Sequence, residues 1–132
     1  IKSTSMLNRL KEIYSMVEVE KGDTLNIILG NYEISIVVSE KYKEQIEKFL
    51  KGEKILSKET NLIALSISFK SDYFHTPSVI FNVVRKVSME NINIYEIVST
   101  MTELTLILHK KDSMKAYDSL QDLIGVKKKI VK

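Results

Sequence analysis

An α+β fold built from two small modules in tandem is what this 132-residue sequence predicts. Two observations carry the prediction. The phrase Glu33-Ile34-Ser35-Ile36-Val37-Val38 recurs as Glu103-Leu104-Thr105-Leu106-Ile107-Leu108, and a segment of helical periodicity follows each copy. The match extends from Ser3-Thr4-Ser5-Met6 beside Thr76-Pro77-Ser78-Val79 to Leu50-Lys51-Gly52 beside Leu123-Ile124-Gly125. An internal repeat constrains architecture more than any single residue does.

The second copy reads most clearly. Ile63, Leu65, Ile67 and Phe69 alternate with Ala64, Ser66 and Ser68, the period-2 pattern of a strand with one buried face. After the loop from Lys70 to His75, Thr76 is placed to cap a helix that Pro77 opens at its first position, where a missing N–H costs nothing. Val79, Ile80, Val83, Val84 and Val87 fall on one stripe of that helix. The turn Glu90-Asn91 leads to a strand around Ile92–Val98. The corner Ser99-Thr100-Met101-Thr102 then leads to a strand with Leu104, Leu106 and Leu108 on one face. Asp112 is the expected cap of the last helix, whose stripe is Ala116, Tyr117, Leu120 and Leu123. Gly125 suits the left-handed stop, and Val126–Val131 returns as a fourth strand.

The first copy follows the same order. Its helix stripe is Met6, Leu7, Leu10, Ile13 and Tyr14, with strands within Val17–Leu29 and Tyr32–Val38. The second stripe is Tyr42, Ile46, Phe49 and Leu50, with Gly52 as its stop and Lys54–Leu56 as the candidate closing strand. The opening strand is missing or reduced to the first few residues; a second register makes Ile1–Leu7 that strand and shortens the helix. The polar connector Ser57–Asn61 has neither Pro nor Gly and suggests modules packed together. The expected division is 1–59 for the first module and 60–132 for the second. Strand, helix, strand, strand, helix, strand is the ferredoxin-like layout, with two helices on one face of an antiparallel sheet. Modules of about 65 residues bury little apolar surface, which favours pairing between modules and then between chains, as a dimer or higher.

Composition narrows the functional classes. With 44% hydrophobic and 28% charged residues the chain has the balance of a soluble globular protein. No stretch approaches the roughly 20 apolar residues that span a membrane, and no basic-then-apolar leader is visible, so a cytoplasmic location is the default. Twenty basic against seventeen acidic residues give a net charge of only +3, too weak a field to argue for nucleic acid. Cysteine is absent, and His75 and His109 lack nearby partners at ligand spacing, so neither a metal nor a cofactor is expected. Four ungrouped glycines give no phosphate loop. Asp72 and His75 lack the context of a nucleophile, and no catalytic residue is assigned. The chain opens at Ile1 without an initiator Met, as a piece of a longer protein would, and a stand-alone chain stays open as the alternative.

The segments Thr60–Ile67, His75-Thr76-Pro77-Ser78-Val79, Asn91-Ile92-Asn93-Ile94 and Ser99–Leu104 together resemble an ACT domain. More narrowly, the pair of copies resembles the tandem ACT regulatory region at the C-terminus of aspartokinases. That family shows an Asn or His near Pro-Gly-Val, a Gly-Ile-Asn-Ile type turn, and a Ser/Thr-Ser-Glu-Ile corner. The resemblance implies an allosteric module that binds an amino acid, lysine or threonine, between modules, with kinase chemistry in an N-terminal domain outside this sequence. Carried onto this chain, it places an effector carboxylate at the helix start of Ser78, Val79 and Ile80, whose N–H groups lack intrahelical partners. It places acceptors for the ammonium at Asp72, Ser99, Thr102 and the strand carrying Ile94 and Tyr95, with His75 and Glu103 alongside. In the first copy the counterparts are Ser5, Met6 and Leu7, with Asn31 and Glu33 at the corner. Two departures stand out. Ser78 replaces the glycine after Pro, and where lysine-responsive relatives carry an acidic residue this chain has Tyr95, unless the register slips by one to Glu96. Two other readings stay open: a dimerisation scaffold without effector, and an RNA-binding module of the same strand order. The latter lacks the stacking aromatics and the Lys/Arg-Gly-aromatic signature.

Overall fold

The computed structural model describes residues 4–69, 78–123 and 128–131. The chain divides into two units, Ile1–Lys58 and Glu59–Lys132, and both are α+β with antiparallel strands.

The second unit runs β3 (Leu62–Ser68), α3 (Val79–Met89), β4 (Ile94–Ser99), β5 (Glu103–His109), α4 (Ser113–Leu123) and β6 (Lys128–Val131). Its sheet has the order β4-β5-β3-β6 with every pairing antiparallel, so the first and third strands are central, as the ferredoxin-like reading requires. Alternation decides which side chains meet the helices. Ile63, Leu65 and Ile67 of β3 and Leu104, Leu106 and Leu108 of β5 join Val83 and Val87 of α3 and Ala116 and Leu120 of α4 in one core. Burying each such aliphatic side chain stabilises the fold by about 1.5–3 kcal/mol before entropy is counted. The opposite face of the two central strands is also buried, with Ile107 2% exposed and Ala64, Ser66 and Thr105 below a tenth. The expectation of one buried face per strand therefore needs correction, because small residues such as Ala64 and Ser66 carry no periodic signal of burial.

In the first unit α1 (Thr4–Met16) precedes β1 (Leu25–Leu29), β2 (Ile34–Val38) and α2 (Lys43–Phe49). Among the described residues its sheet has two strands. Met6, Leu10, Ile13, Val17, Tyr42 and Ile46 form its core, flanked by half-buried Leu25, Ile27, Ile34, Ile36 and Val38. Thr4–Met16 is helical, so the alternative register with a strand over Ile1–Leu7 is not adopted. Leu7 and Tyr14, expected on the buried stripe, are 42% and 71% exposed, since they lie one step off the line through Met6, Leu10, Ile13 and Val17. Lys54–Leu56 is not a strand; Ile55 and Leu56 are exposed and three residues offer too little alternation to hold an edge. Gly52 has φ 91 and ends the α2 run as expected.

Asp23 anchors the polar side of the first unit. The Tyr42 hydroxyl donates to Asp23 Oδ2 at 2.5 Å and accepts the Glu18 N–H at 3.2 Å, while Lys41 Nζ lies 2.9 Å from the same Oδ2. Ser39 and Thr24 close the next rung, with Ser39 Oγ accepting the Thr24 N–H at 2.7 Å. Lys58 pairs with Glu47 and Arg9 with Glu53.

Two caps differ from expectation in the second unit. The residues before α4 form a 3₁₀ turn, Lys110–Asp112, and the acceptor at its head is His109 Nδ1, which takes the Lys111 N–H at 3.1 Å, in place of Asp112. Helix α3 begins at Val79 with Ser78 as its N-cap, so the helix starts later than a first position at Pro77; Thr76, Pro77 and Gly125 lie outside the described residues.

Candidate functional site

The repeated phrase folds into a repeated corner. The Gly30 N–H donates to the Glu33 carbonyl at 2.9 Å, and the Thr100 N–H donates to the Glu103 carbonyl at 2.8 Å. In the second unit the Phe69 N–H also donates to the Thr102 carbonyl at 2.7 Å, which ties the end of β3 to the corner. Helix α3 is the element that follows β3, and β4 runs antiparallel to β5. Topology therefore brings the helix start, the end of β3, Ser99 and Thr102 to one end of the sheet.

The helix start has a property that sequence alone did not state. Ser78 has φ 70 and ψ 5, a left-handed backbone, and its side chain makes no capping bond. Of the described non-glycine residues, Asn61 and Asn91 share a positive φ, and asparagine tolerates it better than serine does. Ser78 and Asn91 both stand where the ACT pattern has glycine, so those glycines correspond to backbone that a Cβ strains. The first intrahelical bond runs from the Asn82 N–H to the Ser78 carbonyl at 2.9 Å, leaving the N–H groups of Val79, Ile80 and Phe81 ahead of it without intrahelical partners.

The residues expected to bind an effector separate into groups. Ser78 is exposed, Val79 half-buried and Ile80 38% exposed at the helix start. Ser99 pairs with Leu104 and so lies on the helix-bearing face, while Thr102 is exposed at the corner. Glu103 is on the other face, in line with Thr105 and Ile107. Ile94 and Tyr95 begin β4, about 15 Å along the strand from Ser99 at the usual rise per residue. There an open groove of about 600 Å³ is lined by Val84 and Ser88 of α3 and by residues Ile92–Ile97. The register shifts between Ile94 and Glu96, so Tyr95 is the bulged residue and Glu96 pairs with Ile107 on the far face. Asp72 and His75 lie outside the described residues.

Sequence reading missed Ser66 and Thr105. Their hydroxyls lie 2.7 Å apart in a buried cross-strand pair, and Thr105 Oγ1 donates to Glu103 Oε1 at 3.1 Å. The signal was present in the repeat, which keeps a hydroxyl two places after the glutamate in both copies, as Ser35 and Thr105. Among the described residues no group of His, Cys, Asp or Glu is arranged to hold a metal ion, and no helix is long and apolar enough to cross a membrane.

This arrangement of strands and helices defines an α+β fold of ferredoxin-like modules. Solved structures of aspartate kinases and of their subunits share it. The regulatory subunit of aspartate kinase from Thermus thermophilus, in its ligand-free form, superposes with a TM-score of 0.71 at 15% identity, over 94% of this chain and 85% of that one. The aspartokinase alpha and beta subunits give 0.73 at 16% identity over 92% and 83%. The aspartate kinase of Clostridium acetobutylicum gives 0.70 at 18% identity, covering 92% of this chain but 29% of that longer one. No family model matches the sequence, and no curated protein matches it. At such identities the likeness concerns the fold.

Proposed function

We propose that this chain is the amino-acid-sensing regulatory region of an aspartate kinase, acting in the cytoplasm as a dimer or higher through its ACT sheets. One observation supports the reading: the fold is shared over more than nine-tenths of the chain with the regulatory subunit of an aspartate kinase and with the aspartokinase alpha and beta subunits. In this reading lysine or threonine binds between modules. Its carboxylate lies at the start of α3 by Ser78, Val79 and Ile80, and its ammonium meets the β4–β5 corner of another module, where Ser99, Thr102 and Glu103 stand. Asp72 and His75 belong to the same proposal. Binding shifts a two-state equilibrium in an attached kinase domain, and only by the ligand's differential affinity, typically about 1–3 kcal/mol.

Isothermal titration of the chain with lysine and threonine tests this. The expected outcome is a saturable heat with one of them, weakened by about 0.5–1.5 kcal/mol in Thr102→Val if its hydroxyl bonds the effector. Absence of heat and of thermal shift at millimolar amino acid refutes sensing, and a monomer by light scattering at micromolar concentration refutes the dimer. A ligand-free dimerisation scaffold is the second reading. Ser78 favours it, since a Cβ and hydroxyl occupy the place where glycine lets a ligand approach the backbone.

A further inference from the structure

By the repeat β2 is the counterpart of β5, with Glu33 standing for Glu103 and Val38 for Leu108, yet the two strands have different neighbours. β5 is interior, with β4 on one side and β3 on the other, whereas among the described residues β2 pairs with β1 alone. The rungs at the two ends of the first hairpin show which backbone groups this leaves. The Ser39 N–H donates to the Thr24 carbonyl at 3.0 Å and the Gly30 N–H to the Glu33 carbonyl at 2.9 Å, so the bonded pairs between them are Asn26 with Val37 and Ile28 with Ser35. The N–H and C=O groups of Ile34, Ile36 and Val38 therefore point away from β1, as those of Leu104, Leu106 and Leu108 point toward β3. In the second unit the row continues at both ends, where the Lys110 N–H donates to the Asn61 carbonyl and the Phe69 N–H to the Thr102 carbonyl, each at 2.7 Å. The counterparts in the first unit are the Glu40 N–H and the Tyr32 carbonyl.

The side chains give the same contrast. Leu104, Leu106 and Leu108 are 0% exposed, while Ile34, Ile36 and Val38 are only half-buried although they flank the core under α1 and α2. A strand that stays at an edge ordinarily carries a charge, a proline or a bulge: β4 has its bulge at Tyr95, and β6 has Lys128 and Lys129. Ile34–Val38 has none of these and pairs in unbroken register. Charge stands only at its two ends, on Glu33 and Glu40, both exposed. β2 thus has the composition of an interior strand in an edge position.

We propose that the free edge of β2 docks an extended polypeptide segment from outside this chain, antiparallel to β2, in the place that β3 takes beside β5. The repeat specifies its chemistry. Across from Ile34, Ile36 and Val38 it carries bulky aliphatic residues, as β3 sets Ile67, Leu65 and Ile63 across from Leu104, Leu106 and Leu108. It is uncharged where it faces Ile34–Val38, and basic residues beyond that stretch meet Glu33 and Glu40. Backbone hydrogen bonds hold the segment, and its alternate side chains complete the core under α1 and α2. Docking does not depend on the chain's sensing an amino acid.

Amide hydrogen exchange on the full chain tests this, with a lysine-flanked synthetic peptide of the sequence Glu59–Lys70, which contains β3, as the probe. In dilute protein alone the amides of Ser35 and Val37, which face β1, should be protected, and those of Ile34, Ile36 and Val38 should exchange fast. Millimolar peptide should slow the latter three by about tenfold or more. A control peptide with proline in place of Leu65, the residue that would lie opposite Ile36, should leave them unchanged, because proline has no N–H for that rung. Slow exchange of the three amides in dilute protein alone would mean that the edge is already closed within the chain, and it overturns the proposal. Slowing that grows with protein concentration in the absence of peptide makes a second copy the occupant and overturns it too. Exchange unchanged at millimolar peptide, or slowed equally by the proline control, overturns the docking itself.

Discussion

The two units are built from one repeated phrase, and they differ in how they handle backbone that L-residues resist. In the first unit the described left-handed positions are Gly22 and Gly52, both at φ 91, with open space where a Cβ would go. In the second they are Asn61, Ser78 and Asn91. The sheets differ as well: among the described residues, two strands and a six-residue core in the first, against four strands and an eleven-residue core in the second. Thus the unit with the larger apolar core is also the one that tolerates side chains at left-handed positions. A surplus of burial can hold a residue in a conformation costing on the order of 1–3 kcal/mol, whereas a marginal module is better served by glycine. The corner hydrogen bond, which depends only on local sequence, is the same in both.

The largest difference should appear at the equivalent core positions Ile36 and Leu106. Leu106 is fully buried between two helices and the sheet, while Ile36 is half-buried on a two-stranded sheet. Leu106→Ala should cost about 3–5 kcal/mol, near the top of the range for such truncations, and Ile36→Ala about 2. Native-state hydrogen exchange reports each unit separately, through amides of β5 and of β2. Equal losses would contradict the idea that the second unit holds the surplus.

Legibility in the sequence followed the same divide. The βαββαβ order of the second unit was readable because period-2 and period-3.6 stripes were long and bounded by turns. The candidate closing strand at Lys54–Leu56 was not real because three residues can imitate alternation by chance. At the site, the helix start and the corner could be located, but the face on which each side chain lay could not. Thr102 and Glu103 are neighbours in sequence, yet the pleat sets Glu103 on the face away from the helices, and the bulge at Tyr95 changes the phase of β4. The Asp23–Tyr42–Lys41 cluster was missed because its members are scattered along the chain, and only the fold makes them partners.

That cluster gives the first unit a pH dependence. The Tyr42 hydroxyl, and then Lys41, hold the Asp23 carboxyl below its ordinary 3.8, and Asp23 in turn raises the Lys41 ammonium above its ordinary 10.5. A depressed folded-state value means that Asp23 contributes fully above about 3.8, and the contribution is lost as pH falls through that lowered value. A raised value means that Lys41 contributes fully below about 10.5, and its contribution is lost as pH rises through the raised value. Asp23→Asn should therefore lower the melting temperature of the first unit by a constant amount across neutral pH, with the gap to wild type closing in strong acid. Melts followed at β1 and β2 amides from acid to pH 9 check this. A gap that persists undiminished below the wild-type acid transition would mean that the ionised carboxylate contributes nothing.

The smallest effects come from the left-handed positions themselves, and they separate strain from function. Ser78→Gly should stabilise the second unit by about 1 kcal/mol, since glycine enters the left-handed region without the Cβ penalty. Asn91→Gly should change it by only a few tenths, because asparagine already tolerates αL, while Gly52→Ala should cost the first unit about 1 kcal/mol or more. Urea melts of the three variants measure these differences, provided m is unchanged. The pattern breaks if Ser78→Gly is neutral or destabilising, which would mean that the serine hydroxyl makes up for the strain in the folded state. Coupling that melt to a titration with lysine and threonine divides the outcomes further. Stabilisation with tighter binding identifies Ser78 as a residue that crowds the helix start. Stabilisation with weaker binding identifies a hydroxyl that donates to the effector carboxylate, in which case the left-handed strain is maintained for the ligand's sake.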